Sequence, residues 1–543
     1  PVMRLVPLKS LPFDNKNELQ VLIDMPEGTN LERTAAFTKQ VQTLTWQLNE
    51  VSEIAAYVGK PSSMDFNAMV RGYYRREATH LAELRVLLID KSEREHQSHA
   101  VVMRLRKQLA PLAKQGIVIK VVEVPPGPPV LSTLVAEVYR DDFVDQQTHY
   151  QAAKQLAERL KQEPHVVEVD TSMVAPSPLQ RFVTDKSKAA ISAISTQNIA
   201  QSLSVATQGE TMGVLYVSSE TEPVDIKLQL PYSERNQISQ LLALQVRGDR
   251  DLAKTSDEFG LQSAPRPLVS LSELGEFTQH QVADIRVRKD QRDVIYVMAE
   301  LNGRTPAEVI ADVNADFNAE PNYFEKTPWI NRHFFNNGGT APWQLPKGTH
   351  ANFSGEGEWR ITIDVFRDMG IAFAFALSAI FIILRVQTQS ASLSLIIMSA
   401  IPLTVIGIMP GFWLLNQFGE RAIAGAPEPV LFTATAMIGM IALAGIVVRN
   451  SLILVEFINQ ARGQGMAIKD ALVAAGTVRM RPVLLTAGTT LLGNLVITLD
   501  PVFSGLAIAI IFGIVASTVF SLFVVPLVYY LVFASSEGEA HAG

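Results

Sequence analysis

Residues 366–533 are mostly apolar and hold five segments near membrane-spanning length, at about 368–386, 391–415, 429–458, 482–499 and 505–533. No other feature restricts the fold so strongly. A helix needs about 20 apolar residues to cross a hydrocarbon core about 30 Å thick, and in that core only helices or closed barrels satisfy their backbone. An all-α bundle of five helices is expected. The fourth segment is a little short, and the third is long enough to emerge at one end. Pro402 and Pro410 predict kinks in the second. Gly407 and Gly411 form a GxxxG, which permits close helix packing.

Lysine and arginine in the short loops set the orientation. Arg385 lies between the first and second spans, and Arg462, Lys469, Arg479 and Arg481 lie in 459–481 between the third and fourth. The opposite loops hold one arginine in 416–428 and a turn at Asp500 and Pro501. The basic side is read as cytoplasmic, which puts residues 1–365 across the membrane and the acidic end (Glu537, Glu539) inside. A soluble region of that size must be exported, and "PVMRLVPL" is too short for a signal peptide or a span. The expectation is that a preceding span lies upstream and that this sequence is a fragment of a longer protein.

With 543 residues the chain exceeds a single core. Residues 1–365 read as repeated strand–helix–strand units. "ELQVLID" (18–24) alternates like a strand, a helix follows with Thr29 and Glu32 at capping-box spacing, and "EIAAYVG" returns. Strands at 81–89 and 117–124 flank a helix over 93–114; strands at 134–140 and 166–170 flank one over 141–162; a strand at 294–301 leads into a helix over 304–318. Such units predict α+β sandwiches of the split βαβ type. Residues 179–268 read as an inserted subdomain, "EVPPGPPVLS" (123–132) as a stiff connector, and 319–347 as a loop excursion.

Catalytic and nucleotide-binding motifs are lacking in the sequence. There is no GxxxxGK[ST], GxSxG or HExxH, and "YVGKPSS" lacks the upstream glycine of a phosphate loop. The absence of cysteine excludes thiol catalysis and thiolate metal sites. A net charge of −7 without a basic stripe argues against a nucleic-acid partner. No enzyme activity, cofactor or resident metal is expected. His96 and His99, beside Glu93 and Glu95, have a spacing that could hold a metal ion, although a solvated helix face accounts for it. Met64 and Met69 flank Phe66 in a loop-like stretch rich in apolar and basic residues, which suggests either packing or a substrate contact.

The intramembrane polar set stands apart. In "LAGIVVRNSLILVEF" Arg449 and Asn450 sit inside an apolar run, and an arginine at mid-membrane costs about 2.5–3.5 kcal/mol. Arg479 and Arg481 precede the fourth span, and Thr486 lies deeper. Together they could surround a carboxylate, lowering its pKa until the arginine withdraws. No aspartate lies within the body of the five spans, and Glu456 is near a cytoplasmic end.

"GIVVRNSLILVEFINQARGQGMAIKDALVAAGTVRMRPVLLTAGTTLLG" closely resembles the C-terminal membrane half of resistance-nodulation-division efflux transporters, of the hydrophobe/amphiphile branch, which carry a Lys-Asn or similar pair before "LIVEF" and then "R-x-RP-x-L-x-T". The resemblance covers the last five spans, and the soluble part follows the family's order. It implies a twelve-span pump of two homologous halves, a homotrimer working with a periplasmic adaptor and an outer-membrane channel, and proton-driven export of drugs or other amphiphilic compounds from the inner membrane or periplasm. It implies a proton relay of Arg449, Asn450, Arg479 and Thr486, with Arg481 as a further member; Arg449 replaces the family's lysine and, because an arginine hardly deprotonates, can act only as a movable counter-ion. The family's proton-carrying aspartates belong to the other half. By the same resemblance 1–130 is the first porter subdomain, 131–178 with 269–330 the second, 179–268 the docking insertion, 331–365 a connector, 366–533 the membrane domain and 534–543 a cytoplasmic tail. The stretch 59–80 matches the gating loop, which makes Met64, Phe66 and Met69 substrate candidates. A heavy-metal exporter of the same superfamily and a non-transporting assembly or sensor protein of the same fold are the alternatives.

Overall fold

A computed structural model of the chain describes all residues except 1–3, 11, 115, 126, 175–177, 250–253, 264–265, 282–284, 320–328, 339–340, 420 and 541–543. It divides into two compact units, Ala175–Asp284 and the remainder.

In the larger unit, β1 (Glu18–Asp24), α1 (Leu31–Thr45), β2 (Val51–Val58), α2 (Phe66–Arg71), β3 (Leu81–Leu88), α3 (Ser98–Leu109) and β4 (Val118–Glu123) build the first α+β layer pair. The strands form an antiparallel sheet in the order β2-β3-β1-β4. Strand alternation assigns its two faces. Leu19, Val21 and Ile23 of β1 are buried with Leu84 and Val86 of β3, against Val41 of α1 and Val101 and Leu105 of α3. The α1 cap differs from the expected box. Asn30, not Thr29, accepts from the Arg33 N–H at 2.9 Å, while the Thr29 hydroxyl donates to the Pro26 carbonyl at 2.6 Å.

The second sheet contains β5 (Leu134–Arg140), β6 (Val166–Thr171), β7 (Val287–Lys289), β8 (Arg292–Leu301) and β9 (Thr349–Asn352), with α4 (Gln146–Lys161) and α5 (Pro306–Ala315) packed on it. β8 pairs with β5 on one edge and with β6 and β7 on the other, and β9 extends the sheet beyond β5. Residues 331–365 therefore do more than connect: Thr349–Asn352 supplies a strand. Part of the expected loop excursion, 320–328 and 339–340, lies outside the described residues.

The smaller unit has its own core of Ile194, Ile199, Val246, Leu271 and Leu274. Its entry strand Pro178–Thr184 and exit strand Gly275–Gln281 pair antiparallel. That ladder draws 275–281 into the insertion, so the unit is wider than the expected 179–268, and the 269–330 segment divides.

Five helices are long and apolar enough to cross a membrane. They are α6 (Gly357–Thr388), α7 with α8 (Ala391–Met398 and Ala400–Gly419), α9 (Ala434–Gly463), α10 (Ile468–Ile497) and α11 (Ser504–Ala540). The second span breaks at Ser399, three residues before Pro402, and Pro410 lies inside α8. The glycine pair has a packing role. A Cβ at Gly407 would stand 2.2 Å from the Ala516 Cβ, and one at Gly411 2.3 Å from the Phe512 ring, so α8 and α11 approach as only glycine allows. The loop expected over 459–481 is largely helix. α9 runs to Gly463 and α10 starts at Ile468, so Arg479 and Arg481 stand three turns inside α10 and Pro482 is interior to it. The expected tail is likewise helical to Ala540.

Candidate functional site

On α9 one stripe is exposed and the opposite face is sealed. Ile438, Ala442, Gly445, Arg449 and Glu456 follow the helical repeat along the exposed side. Leu443, Val447, Ser451, Leu454 and Ile458 are buried against the bundle. Consecutive helical residues differ by about 100°, so Arg449 faces outward while Asn450 is buried. The polar pair of the sequence is thus split between two faces.

Arg479 of α10 lies over the Phe457 ring, its guanidinium carbon 5.2 Å from the centroid. Its Nε is buried and has no hydrogen-bond partner among the described residues. α9 and α10 are joined by the short turn after Gly463 and run antiparallel. Seven residues back from Phe457 is Asn450, and seven forward from Arg479 is Thr486; both steps are about 10 Å along the helix axis. The Thr486 hydroxyl donates to the Val483 carbonyl at 3.0 Å, three residues back. Arg481 is exposed on another side of α10. Among the described residues no hydrogen bond or ion pair joins Arg449, Arg479 and Thr486. Along α10, Arg479 lies nearer the α9–α10 turn than Thr486 does.

Three polar groups escape a reading of sequence. The Ser451 and Thr518 hydroxyls are buried without partners among the described residues. Tyr529, 1% exposed, donates to the Asn459 side-chain oxygen at 2.7 Å and accepts from Arg462 at 3.4 Å. Serine and threonine are common in apolar helices, and only packing shows which of them are stranded.

The soluble candidates share one segment. Asp65 caps α2 by accepting from the Ala68 N–H at 2.6 Å. Met64, Phe66 and Met69 are exposed, Met64 by 63%. The sheet face beneath this segment is ionic. Arg76 pairs with Asp24 at 2.5 Å and with Glu83 at 2.8 Å, and the Ser62 N–H donates to Glu83 at 3.0 Å. Arg85 pairs with Asp65 at 2.8 Å and also with Glu18. Lys120 of β4 pairs with Asp170 of β6, and stands 3.8 Å from Asp24. Burial alone would raise the Asp24 pKa; Arg76 and Lys120 outweigh it and hold the carboxyl below its ordinary range.

The paired histidines come apart. His99 is 2% exposed, stacks on Phe13 with centroids 3.5 Å apart, and its Nδ1 lies 2.7 Å from Glu123. His96 is exposed. The i, i+3 spacing sends one ring inward and leaves the other outside, so the metal pairing fails. Among the described residues no group of three or more His, Cys, Asp or Glu could hold a metal ion.

The family model described as the AcrB/AcrD/AcrF family matches residues 2–326 and 340–533. The nickel and cobalt resistance protein CnrA of Cupriavidus metallidurans is 25% identical over 437 residues, 78% of this chain and 36% of that protein. The swarming motility protein SwrC of Bacillus subtilis is 28% identical over 172 residues, 31% of this chain and 15% of its own. The multidrug resistance protein MdtC of Erwinia amylovora is 36% identical over 107 residues, 18% of this chain and 10% of its own. A crystal structure of a heavy metal efflux pump superposes with a TM-score of 0.70 at 18% identity, over 98% of this chain and 49% of that one. That likeness shows the fold; the chain spans about half of the solved chain.

Proposed function

This chain belongs to the AcrB/AcrD/AcrF family, and from that premise we propose that it is the C-terminal half of a proton-driven exporter of the resistance-nodulation-division superfamily. In this reading the pump sits in a bacterial inner membrane with its porter in the periplasm. It assembles as a homotrimer with an N-terminal half, a periplasmic adaptor and an outer-membrane channel. It moves amphiphilic organic compounds outward and performs no covalent chemistry.

The observation that carries the reading is the outward Arg449 on an apolar helix. A guanidinium there needs an anionic partner to offset a cost of about 2.5–3.5 kcal/mol. A carboxylate on a facing helix would supply it and would hold a low pKa while paired. Protonation removes that attraction and frees Arg449 to move. Arg479 and Thr486, two helical turns apart on α10, supply a fixed charge and a hydroxyl at the two depths of such a relay. Two arrangements of one ion pair thus become two arrangements of the helices, which is what coupling proton entry to export requires.

A second reading, export of a divalent or soft metal cation, is favoured by the names of the relatives that match over most of this chain, CnrA among them. The test is susceptibility of a pump-deficient host carrying the full-length protein. Protection against lipophilic dyes and detergents, and not against nickel or cobalt, is expected. The converse pattern would replace the organic reading with the metal one.

A further inference from the structure

The stretch "VPLKSLPFDNK" (6–16) leads from the helix bundle into the first sheet, and it is anchored at both ends. At the bundle end it lies along the residues that open α9. The Phe432 N–H donates to the Pro7 carbonyl at 2.9 Å, the Lys9 N–H to the Phe432 carbonyl at 3.2 Å, and the Ala434 N–H to the Ser10 carbonyl at 3.1 Å. Val6 is buried in the apolar core of the bundle, and Leu8 packs against that core. At the sheet end the stretch is fixed to the start of α3. The Ser98 hydroxyl donates to the Asp14 carbonyl at 2.8 Å and accepts from the Lys16 N–H at 3.1 Å, while the Ser98 N–H donates to the Asn15 side-chain oxygen at 3.0 Å. The Phe13 ring stacks on His99. Two residues of sequence, Leu11 and Pro12, separate the two sets of anchors, and β1 begins at Glu18. Proline fixes φ at 7 and at 12. A segment held at both ends with so little free length passes on a displacement instead of absorbing it. Lys9 adds a branch: its Nζ lies 3.1 Å from Glu358 Oε2 in the first turn of α6, with both side chains largely buried.

We propose that the anchored residues 6–10 and 13–16 act as a mechanical tie between α9, the helix that carries Arg449, and the first sheet with α3, and that Lys9 and Ser98 are its positioning residues. The proposal rests on the exporter reading and deepens it, by naming the segment through which a rearrangement at Arg449 reaches the first α+β layer pair. The second sheet has its own link to the bundle, because β9 leads within a few residues into α6. The tie gives the first sheet a separate one.

The test uses the full-length transporter with two glycines inserted between Pro12 and Phe13, which adds about 7 Å of slack and leaves every anchoring residue in place. Spin labels attached through Lys107→Cys on α3 and Lys154→Cys on α4, both exposed positions, report the separation of the two α+β layer pairs. In the parent that separation should shift on acidification. In the insertion variant it should stay fixed, with yield and thermal midpoint equal to the parent's. In proteoliposomes the insertion variant should move a lipophilic dye no faster than empty liposomes do. Ser98→Ala should lower turnover about fivefold with the half-saturating dye concentration unchanged, and Ser98→Thr, which keeps the hydroxyl, should restore it. A label shift in the insertion variant equal to the parent's, no shift in the parent, or parental turnover in Ser98→Ala would overturn the tie. If the insertion lowers the thermal midpoint, the Ser98 pair decides. The two readings fail separately: dye transport by parent and insertion variant alike rejects the tie and keeps the exporter, whereas a label shift that the insertion abolishes, in a parent that moves no dye, keeps the tie and rejects the exporter.

Discussion

Arg304 Nη2 stands 2.7 Å from Asp312 Oδ2, with the two side chains 1% and 0% exposed. Arg4 clamps the same carboxylate from the start of the chain at 2.8 Å, and Arg332 reaches it at 3.2 Å. Glu163 ties Arg304 at 2.8 Å to Arg159, which reaches on to Asp316 at 2.6 Å. Burial would raise the Asp312 pKa, and the surrounding arginines instead hold it below its ordinary range. One α5 carboxylate thus pins the entry segment and the residues after 328 to the second sheet. Asp312→Asn should leave buried guanidinium charge uncompensated and cost about 3–5 kcal/mol. A fall in the thermal midpoint of the purified protein checks this, and an unchanged midpoint would refute the pinning role.

Asp24 gives a pH signature. Its folded pKa lies below the ordinary aspartate value of 3.8, so its ion pairs stabilise the fold fully above that value. The contribution is lost as pH falls through the folded pKa. Thermal midpoints across an acid titration should show Asp24→Asn less stable at neutral pH and less sensitive to acid than the parent. Parallel curves for the two proteins would remove Asp24 from the acid response.

Arg449 is expected to be needed for transport and dispensable for assembly, because it faces outward. Arg449→Ala should reduce export to the vector background while trimer yield stays unchanged. Arg479→Ala should do the same. Arg449→Lys, which keeps the charge, should retain measurable export. Normal protection of cells by either alanine variant would sink the relay.

Gly303, just after β8, packs against the hairpin that precedes α9. Its φ is +75°, and a Cβ there would stand 1.9 Å from the Pro427 carbonyl oxygen, in the hairpin before α9. Gly303→Ala combines an unfavourable backbone conformation, about 1–3 kcal/mol, with a clash against main chain. Reduced yield of folded protein on size exclusion is the expected result. Full yield would mean that the hairpin yields easily.

Met64 and Met69 distinguish the two substrate readings. Both are exposed, so changing each to leucine should alter stability by no more than about 0.5 kcal/mol. Metal-ion titration of the double variant should match the parent. A loss of nickel, cobalt or copper(I) binding would favour the metal reading.

The legible parts of the fold were those in which each residue declares its own environment. Alternation in "ELQVLID" marked a strand, and the structure buries Leu19, Val21 and Ile23 on one face of it and Gln20 and Leu22 on the other. The length of each apolar run specified the membrane helices. Boundaries were harder where polarity and helicity disagree. Arg479 and Arg481 looked like loop residues, yet lie inside α10, because long side chains tolerate a helix that leaves the apolar layer. The insertion's limits depended on a ladder between 178–184 and 275–281, and pairing across so many residues leaves no local mark.

The candidate site divides in the same way. By itself the sequence determined that a charge is placed in an apolar helix at Arg449, that Asn450 adjoins it, and that a further arginine and a threonine lie seven residues apart at 479 and 486. Composition and spacing are local properties, and the cost of burying charge makes them conspicuous. Only the tertiary structure decided that Arg449 is exposed while Asn450 is buried, that Arg479 rests on Phe457, and that His99 is spent on Glu123 and Phe13. Those facts depend on which helix faces which, and that is set by side-chain packing between segments hundreds of residues apart.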